Sequence, residues 1–550
     1  RDIPLGYGGA PESARARGWT SLNPVGEMSG VERREWLWAI GVSAFVVALT
    51  TLPYLAGHLC SSPERVFVGA FYDLSDYNSH LAKMQQGYQS SWRWKSLFTS
   101  EPHEGGFVHP FYLALGHLAR ALHLSLVATY HLARILGGML LLILAYRFIA
   151  LFMEEKEERR TAFLLASLGS GIGWLVQPFL PVLAIDFWLS DFYLFLSILA
   201  FPHFTFSISF LLLAWILLLR DAQGPKAREI IGAALCGLAL TLIHPYMPLI
   251  LNLVPAVFWS LKAAIERRFP FRGAAALGLM LIFQAPIVLY YYLLFTHNPV
   301  FYGWAAQNLT LSPPLPHYVV GAGLVGFLAV FGAVTPKVPI LKKVFPLSWA
   351  ILALVLAYGP WNFQRRLTEG WMLAGGILAS WGWHRVLEPS FPNFLKRRIG
   401  PLRFALVATA SISNLVLLGL AFYGAFTGHP DLFYPSEVTK AVDWLKAHST
   451  PADVILSSYL TGNLIPARIG RKVFIGHEME TIDFARKKEL MQAFFTQMPG
   501  EERCALLEKY GISLIFFGPY ERAIGHLSPG ELNCVEKIYQ EDGVEIFRVR

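Results

Sequence analysis

Apolar residues in this chain gather into long, nearly uninterrupted stretches of roughly 17 to 25 residues, the length that carries a helix across the hydrocarbon core of a bilayer. Read by hydropathy, they predict about eleven membrane-spanning helices. These fall near residues 36–57, 127–151, 161–183, 203–219, 229–245, 247–262, 273–295, 317–334, 345–359, 369–387 and 404–426. Several contain Pro or Gly, which membrane helices tolerate better than soluble ones.

The pattern changes near residue 428. Beyond Tyr434 the spacing predicts a helix over 436–447, a strand over 453–457, a helix over 460–469 and a strand over 472–475. Helices within 482–510, a strand over 512–517 and a hairpin at Asp542-Gly543 follow, since Asp-Gly favours a tight reversal. Alternating helices and strands indicate a small α/β domain with a partly parallel sheet. The predicted organisation is therefore mainly α: an N-terminal segment (1–35), a polytopic helical region (36–428) whose first loop (58–126) is long, and a C-terminal α/β domain (429–550).

Composition agrees with this reading. Of 550 residues, 54% are hydrophobic and only 15% charged, against about 25% charged in an average soluble protein, and mean hydropathy is +0.43. The net charge of +8 comes from Lys and Arg in alternate loops, at Arg33-Arg34, 154–160, 220–228, 267–272, 337–343 and 396–398. Basic loops stay in the cytoplasm, so the charge implies no nucleic-acid partner. With an odd number of spans, the N-terminus is expected in the cytoplasm and the C-terminal domain outside the plasma membrane. No cleavable signal pattern stands at the start, and the first span is expected to serve as its own signal-anchor.

The candidate chemistry lies in the opposite loops. The first loop opens with Asp73 and Asp76, three apart in Tyr72-Asp73-Leu74-Ser75-Asp76-Tyr77. A helix from Asp76 to Gly87, with His80 and Lys83 among its polar positions, would place both acids on one face. The plainer alternative for Asp73 is a helix N-cap. A second helix over 110–124 reads as interfacial, and Trp92-Arg93-Trp94 suits the headgroup level. Reactive carboxylates just beyond the first span suit an enzyme acting on a lipid-borne substrate better than a channel. Arg365 and Arg366 lie on the side where the topology rule disfavours them. Guanidinium forks match phosphate oxygens, so the pair points to an anionic ligand, with snorkelling to headgroups as the plainer alternative.

The order of one span, a long loop with paired acids, many further spans and a C-terminal domain resembles the GT-C superfamily of polytopic glycosyltransferases. Asp73-Leu-Ser-Asp76-Tyr, Thr99-Ser-Glu-Pro-His103-Glu and Phe363-Gln-Arg-Arg366 are similar to segments of its bacterial members. The resemblance implies transfer of a sugar from a polyprenyl-phosphate donor to a glycan, lipid or protein acceptor on the extracytoplasmic side, with inversion. A carboxylate then takes the acceptor proton, a role assigned to Asp76 with Asp73 as alternate, and Arg365 and Arg366 hold the donor phosphate. The spacing of the acids departs from the superfamily's adjacent Asp-Glu or Asp-X-Asp pattern, which leaves the choice of base open.

Further substrate contacts are expected from Glu101, His103 and Glu104, from Asp186 and Asp191, from His203 and His244 at span ends, and from His477 in Gly476-His477-Glu478. The Pro-rich stretch 296–317, with Tyr302 and Trp304, is a candidate sugar platform or lid. Two Asp with His103 or His203 offer oxygen and nitrogen donors to Mg²⁺ or Mn²⁺, but no zinc-type Cys-His spacing occurs, and the site is expected to work without metal. Cys504 and Cys534 are a candidate bridge in the C-terminal domain, while Cys236 falls in a span and Cys60 stands alone. The rival class, a polytopic lipid or solute transporter or flippase, calls for inverted repeats and midplane charges. No internal repeat is apparent, and the polar residues collect at the span ends.

Overall fold

The computed structural model describes residues 31–221, 224–527 and 532–550; residues 1–30 of the predicted N-terminal segment and two residues of the basic loop 220–228 lie outside it. Each of the eleven predicted span positions holds a helix. Five are long and apolar enough to cross a membrane as single helices: Arg33–Leu59, Leu126–Ile149, Pro248–Glu266, Phe271–His297 and Leu315–Val334. Two bent pairs, Lys156–Leu168 with Gly173–Phe179 and Ile399–Ala410 with Ile412–Thr427, bring the number to seven. Shorter helices occupy the other four positions: Pro202–Leu218, Ala227–Ile243, Ile340–Leu356 and Trp371–Trp381. The chain is a multi-pass membrane protein.

Two predicted spans need correction. The helix expected over 161–183 stops at Leu168 and resumes at Gly173 bent by 46°, and that over 404–426 breaks at Ser411 by 53°. In the first, the backbone is pulled aside where Gly171 passes so close to Val320 and Gly321 that a Cβ would sit 2.5 Å from the Val320 carbonyl oxygen. Hydropathy does not register such a contact.

The basic loops meet at one end of the bundle. Arg159 pairs with the buried Glu35 at 2.7 Å, Lys342 with Glu154 at 2.5 Å, Arg403 with Glu157 at 2.7 Å, and Arg385 with Glu158. These partners come from four different loops, so the alternation of charge along the sequence becomes a single polar end.

The first loop builds the opposite end. Its helices Leu74–Tyr88 and Pro110–Ala121 pack face to face through two glycines. A Cβ on Gly87 would lie 2.1 Å from the Leu113 carbonyl oxygen, and one on Gly116 2.0 Å from that of Met84. No larger residue fits either place without parting the helices. The second helix thus rests on protein rather than lying free in the interface as expected, and Trp94, expected at the headgroups, is fully buried. Trp92 remains exposed, stacked on His117 with ring centroids 4.2 Å apart.

The C-terminal domain is α/β. Its sheet comprises β3 (Val454–Leu456), β4 (Lys472–Val473), β5 (Leu514–Phe517), β6 (Val535–Glu541) and β7 (Val544–Val549), in the order β4-β3-β5-β7-β6. The first three are parallel and the last two antiparallel. The hairpin turns at Asp542 and Gly543, both with positive φ (47° and 77°), as an Asp-Gly turn of this kind requires. Cys504 and Cys534 are joined in a disulfide. Closing a loop of 30 residues in sequence separation is worth roughly 2–4 kcal/mol. Reduction, or Cys504→Ser, is accordingly expected to lower the thermal midpoint, which a melting curve with and without reductant would check.

One feature of the domain escaped the hydropathy pattern. Two three-residue strands, β1 (Arg65–Phe67) in the first loop and β2 (Phe433–Pro435) after the last membrane helix, pair antiparallel. They tie the start of the C-terminal domain to the root of the first loop. The helix Tyr459–Ile469 packs along Leu74–Tyr88, the Val473 amide donates to the Leu97 carbonyl (2.9 Å), and the Thr481 hydroxyl donates to the Phe98 carbonyl (2.7 Å).

Candidate active site

Between the first loop, the C-terminal domain and the ends of several membrane helices lies a cavity of about 730 Å³. The helix Leu74–Tyr88 supplies one wall. Asp73 caps it with φ 42° and accepts the Asp76 amide at 3.1 Å. Asp73 is therefore outside the helix, and the two acids do not share a face as the spacing suggested. From Asp76 inward, residues 76, 79, 80 and 83 follow helical periodicity, and all four line the cavity. Of the two acids, Asp76 reaches it and Asp73 does not.

The C-terminal domain closes over that wall. His477 Nε2 lies 2.9 Å from Asp76 Oδ1. Glu480 Oε1 accepts from Lys83 Nζ at 2.7 Å and from Ser79 Oγ at 2.5 Å. Burial raises the Asp76 carboxyl, but the hydrogen bond and charge of His477, with Arg366 and Lys83 beyond, hold it below the usual carboxylate range. For His477 burial acts downward, and the Asp76 carboxylate outweighs it, so its value lies above the ordinary 6.5. Asp73 is pushed up to about 6 by burial and by the Asp76 charge. Asp76 Oδ2 accepts no hydrogen bond among the described residues and is free for a ligand.

The signs fix a pH dependence. Asp76, depressed in the folded state, contributes stability above its unfolded value near 4 and loses it as pH falls through the folded one. His477, raised, contributes fully below about 6.5 and loses it as pH rises through its folded value. The pair is strongest between those limits. We expect docking of the C-terminal domain, read by hydrogen exchange over 476–482, to loosen on the alkaline side, and the effect to vanish in His477→Gln.

Arg366 enters the cavity lining from the 3₁₀ turn Gln364–Thr368. Its Nη1 donates to Asp191 Oδ1 at 2.7 Å, which fixes the side chain, and its guanidinium lies 5.3 Å from the Phe204 ring centroid. Arg365 is turned away from the cavity lining and stacks over Trp188 at 4.9 Å; it makes no ion pair among the described residues. The arginine pair is thus split, one member in the cavity and one behind it.

His203 and His244 also line the cavity, with ring centroids 5.1 Å apart. Tyr112 lies 2.5 Å from His203 Nδ1. Around the polar groups stand Val288, Tyr291, Tyr292 and Phe295, one face of the helix Phe271–His297. The stretch 296–317 holds a helix, Pro299–Gln307, whose Trp304 lines the cavity and whose Gln307 donates to the carbonyls of Met479 and Thr481 (2.9 and 2.7 Å).

Five of the expected substrate contacts lie outside the cavity lining. Glu101 is paired with Lys487 at 2.7 Å; His103 accepts the Ser96 amide at 3.0 Å and bonds the Glu101 carbonyl; Glu104 is exposed. These three serve or border the domain contact, outside the cavity lining. Asp186 is buried, accepting from the Gly173 amide (2.9 Å) and Ser413 hydroxyl (2.6 Å), and holds the bent third span in place. Asp191 acts through Arg366 and does not line the cavity. Conversely His80, Lys83, His109, Tyr112 and Glu480 line it and were not singled out as site residues. The spacing Asp76, His80, Lys83 carried the signal for two of them; the others depend on tertiary contacts.

Among the described residues no three His, Cys, Asp or Glu side chains are grouped to hold a metal ion. Of the candidate donors, Asp76 is engaged by His477 and faces the charges of Lys83 and Arg366, Asp73 and His103 lie outside the lining, and His203 lines it.

No family model and no curated protein sequence matches the chain. Its fold, however, has solved counterparts. An arabinofuranosyltransferase, AftD, from Mycobacteria superposes with a TM-score of 0.52 at 13% identity, over 94% of this chain and 42% of that one. The apo oligosaccharyltransferase of Archaeoglobus fulgidus does so with 0.50 at 14% identity, over 94% and 75%. The chain has the GT-C fold. It spans under half the length of the mycobacterial protein. In the GT-C fold as built here, the first-loop helices and the C-terminal domain meet over the mouth of the helical bundle, and the cavity lies at that junction.

Proposed function

We propose that the protein is a membrane glycosyltransferase that moves a sugar from a polyprenyl-phosphate donor to an acceptor hydroxyl or amide of a glycan, lipid or protein, with inversion. One observation carries this reading: Asp76 and Arg366, 290 positions apart in sequence, line the same cavity, the first with a free carboxylate oxygen and the second held by Asp191. The solved neighbours, an arabinofuranosyltransferase and an oligosaccharyltransferase, favour sugar transfer on general grounds.

The chemistry follows from the two walls. The acceptor's nucleophilic atom attacks the anomeric carbon from the Asp76 side, and its proton passes to Asp76 Oδ2. His477 keeps that carboxylate ionised and oriented. The low basicity of Asp76 suits a proton that becomes acidic only as the new bond forms, so transfer is late. On the opposite side, the bond to the phosphate oxygen breaks with its electron pair on oxygen, and a fixed guanidinium stabilises the growing charge as an oxyanion hole does, an effect of order 10²- to 10³-fold. The apolar face of Phe271–His297 suits the first isoprene units. In this reading the cavity end of the bundle is extracytoplasmic, the basic end cytoplasmic, and the membrane the plasma membrane; a disulfide in the C-terminal domain accords with an oxidising exterior.

Purified protein incubated with radiolabelled polyprenyl-phosphate sugars and an extract of envelope acceptors tests the proposal. Labelled acceptor should form with wild type and not with Asp76→Asn. Arg366→Ala is expected to reduce transfer about 10²-fold or more and Arg366→Lys to restore part of it. Movement of the lipid across a vesicle bilayer without any sugar transfer would favour the transporter reading instead.

A further inference from the structure

We infer that Glu369 and His244 form a second acid–base pair in the cavity, which supplies a proton to the departing phosphate. The inference rests on the transferase reading above and assigns a role to a buried carboxylate behind the cavity lining.

His244 follows the helix Ala227–Ile243, and Glu369 follows the turn that carries Arg366. His244 Nδ1 lies 2.7 Å from Glu369 Oε2 and 2.9 Å from Ser207 Oγ. Glu369 is fully buried (0% exposed). A buried carboxylate needs a partner that compensates its lost hydration, and His244 is its only ion-pair partner among the described residues. Nδ1 thus stands at ion-pair distance from the carboxylate and is also engaged by the Ser207 hydroxyl, which leaves Nε2 as the ring nitrogen with no hydrogen bond among the described residues. His244 lines the cavity and Glu369 does not: the ring stands between the acid and the void.

The pair lies on the phosphate side. The Phe204 ring has the Arg366 guanidinium 5.3 Å away and the His244 ring 5.2 Å away, so the cation and the imidazole flank one phenyl ring. Asp76 is held on the other wall by His477. The ionisable groups around His244 are Glu369, Arg366 and Asp191, His203 and His109 from neighbouring helices, and Tyr246 stacked on it at 5.0 Å. Of these, only Glu369 contacts the ring nitrogen as an acid.

A proton on each ring nitrogen of His244 would have the Glu369 carboxylate, 2.7 Å away, as its counter-charge. In the transfer step the bond from anomeric carbon to phosphate oxygen breaks, its electrons going to oxygen, and the Nε2 proton moves to that oxygen. The acceptor atom bonds to the anomeric carbon and its proton goes to Asp76. Exchange with water then removes the proton from Asp76 and restores the one on His244. Glu369 is a positioning residue in this scheme, and His244 the acid.

The test compares wild type, His244→Gln, Glu369→Gln and Asp76→Asn with one radiolabelled polyprenyl-phosphate sugar, each first checked for monodispersity and thermal midpoint. The expected result is a loss of kcat of about 10²-fold or more in His244→Gln and Glu369→Gln with KM little changed. Retention of kcat within about threefold, or a loss confined to KM, would overturn the inference while leaving the transferase reading intact, provided Asp76→Asn is inactive. If Glu369→Gln does not fold, His244→Gln decides; if neither folds, Glu369→Asp, which keeps the charge but withdraws it from the ring, is expected to lower kcat with KM unchanged, and an unaltered kcat overturns the positioning role. Absence of transfer by wild type would overturn both readings together.

Discussion

Asp76→Asn is expected to lower kcat about 10²- to 10⁴-fold, the usual contribution of a positioned general base, with the donor still bound. Asn keeps the size of the side chain and can still bond His477, so the helix Leu74–Tyr88 and its contact with the C-terminal domain should survive, and an unchanged thermal midpoint would show it. Asp73→Asn separates the two acids. Asp73 caps the helix and stands outside the cavity lining, and Asn caps as well as Asp does, so that variant should retain most of its activity. The reverse ranking, with Asp73→Asn inactive and Asp76→Asn active, would move the base to Asp73, whose raised pKa of about 6 would then be the relevant property. Single-turnover rates with labelled donor distinguish the outcomes.

The largest effect on stability is expected at Lys83 and Glu480. Both side chains are about 4% exposed, and their charges meet at 2.7 Å. Removing one partner leaves the other charge buried and uncompensated, at a cost of about 3–5 kcal/mol, whereas replacing both by apolar residues of similar volume is often neutral. Lys83→Met alone, or Glu480→Leu alone, should therefore lower the thermal midpoint sharply and expose the segment 476–496 to proteolysis, and the double variant should recover much of the loss. Additive losses in the double variant would show that the pair contributes through packing alone. The contact bears on function because Glu480 and His477 belong to one turn: whatever loosens Lys83 and Glu480 also frees Asp76 from His477.

Much of this architecture could be read from the chain. Membrane helices declare themselves because each must be apolar along most of its length, and five of the predicted positions hold single helices long and apolar enough to cross, seven with the two bent pairs. The α/β character of the C-terminal domain was legible for a similar reason: its helices and strands are short, bounded by turn residues and regularly spaced. What hydropathy missed is contact between backbones. Gly171 bends the third span by close approach to Val320, and β1 and β2 pair across more than 360 residues with three residues each, too short to leave a pattern.

The candidate site was legible in part, and for physical reasons. Asp76, Arg366, His203, His244 and His477 stood out as polar groups at span ends or in turns, where their presence costs the fold something. Asp186 stood out for the same reason and has a structural explanation, since its Oδ2 accepts from the Gly173 amide and the Ser413 hydroxyl and ties the bent span to the last membrane helix. Glu101 likewise answers Lys487. A sequence does not distinguish a carboxylate that faces a void from one that faces a lysine. Glu369 adjoins an apolar run and reads as the edge of a span, so its contact with His244 leaves no mark in the sequence.

The most direct measurement is a structure of the protein with a polyprenyl phosphate bound. The account places the phosphate against Arg366 and within reach of His244, the first isoprene units along Val288, Tyr292 and Phe295, and Asp76 across the open part of the cavity with room for a sugar between. A phosphate seated elsewhere, or one whose path to Asp76 is blocked by the helix Leu74–Tyr88 or the turn at His477, would contradict it.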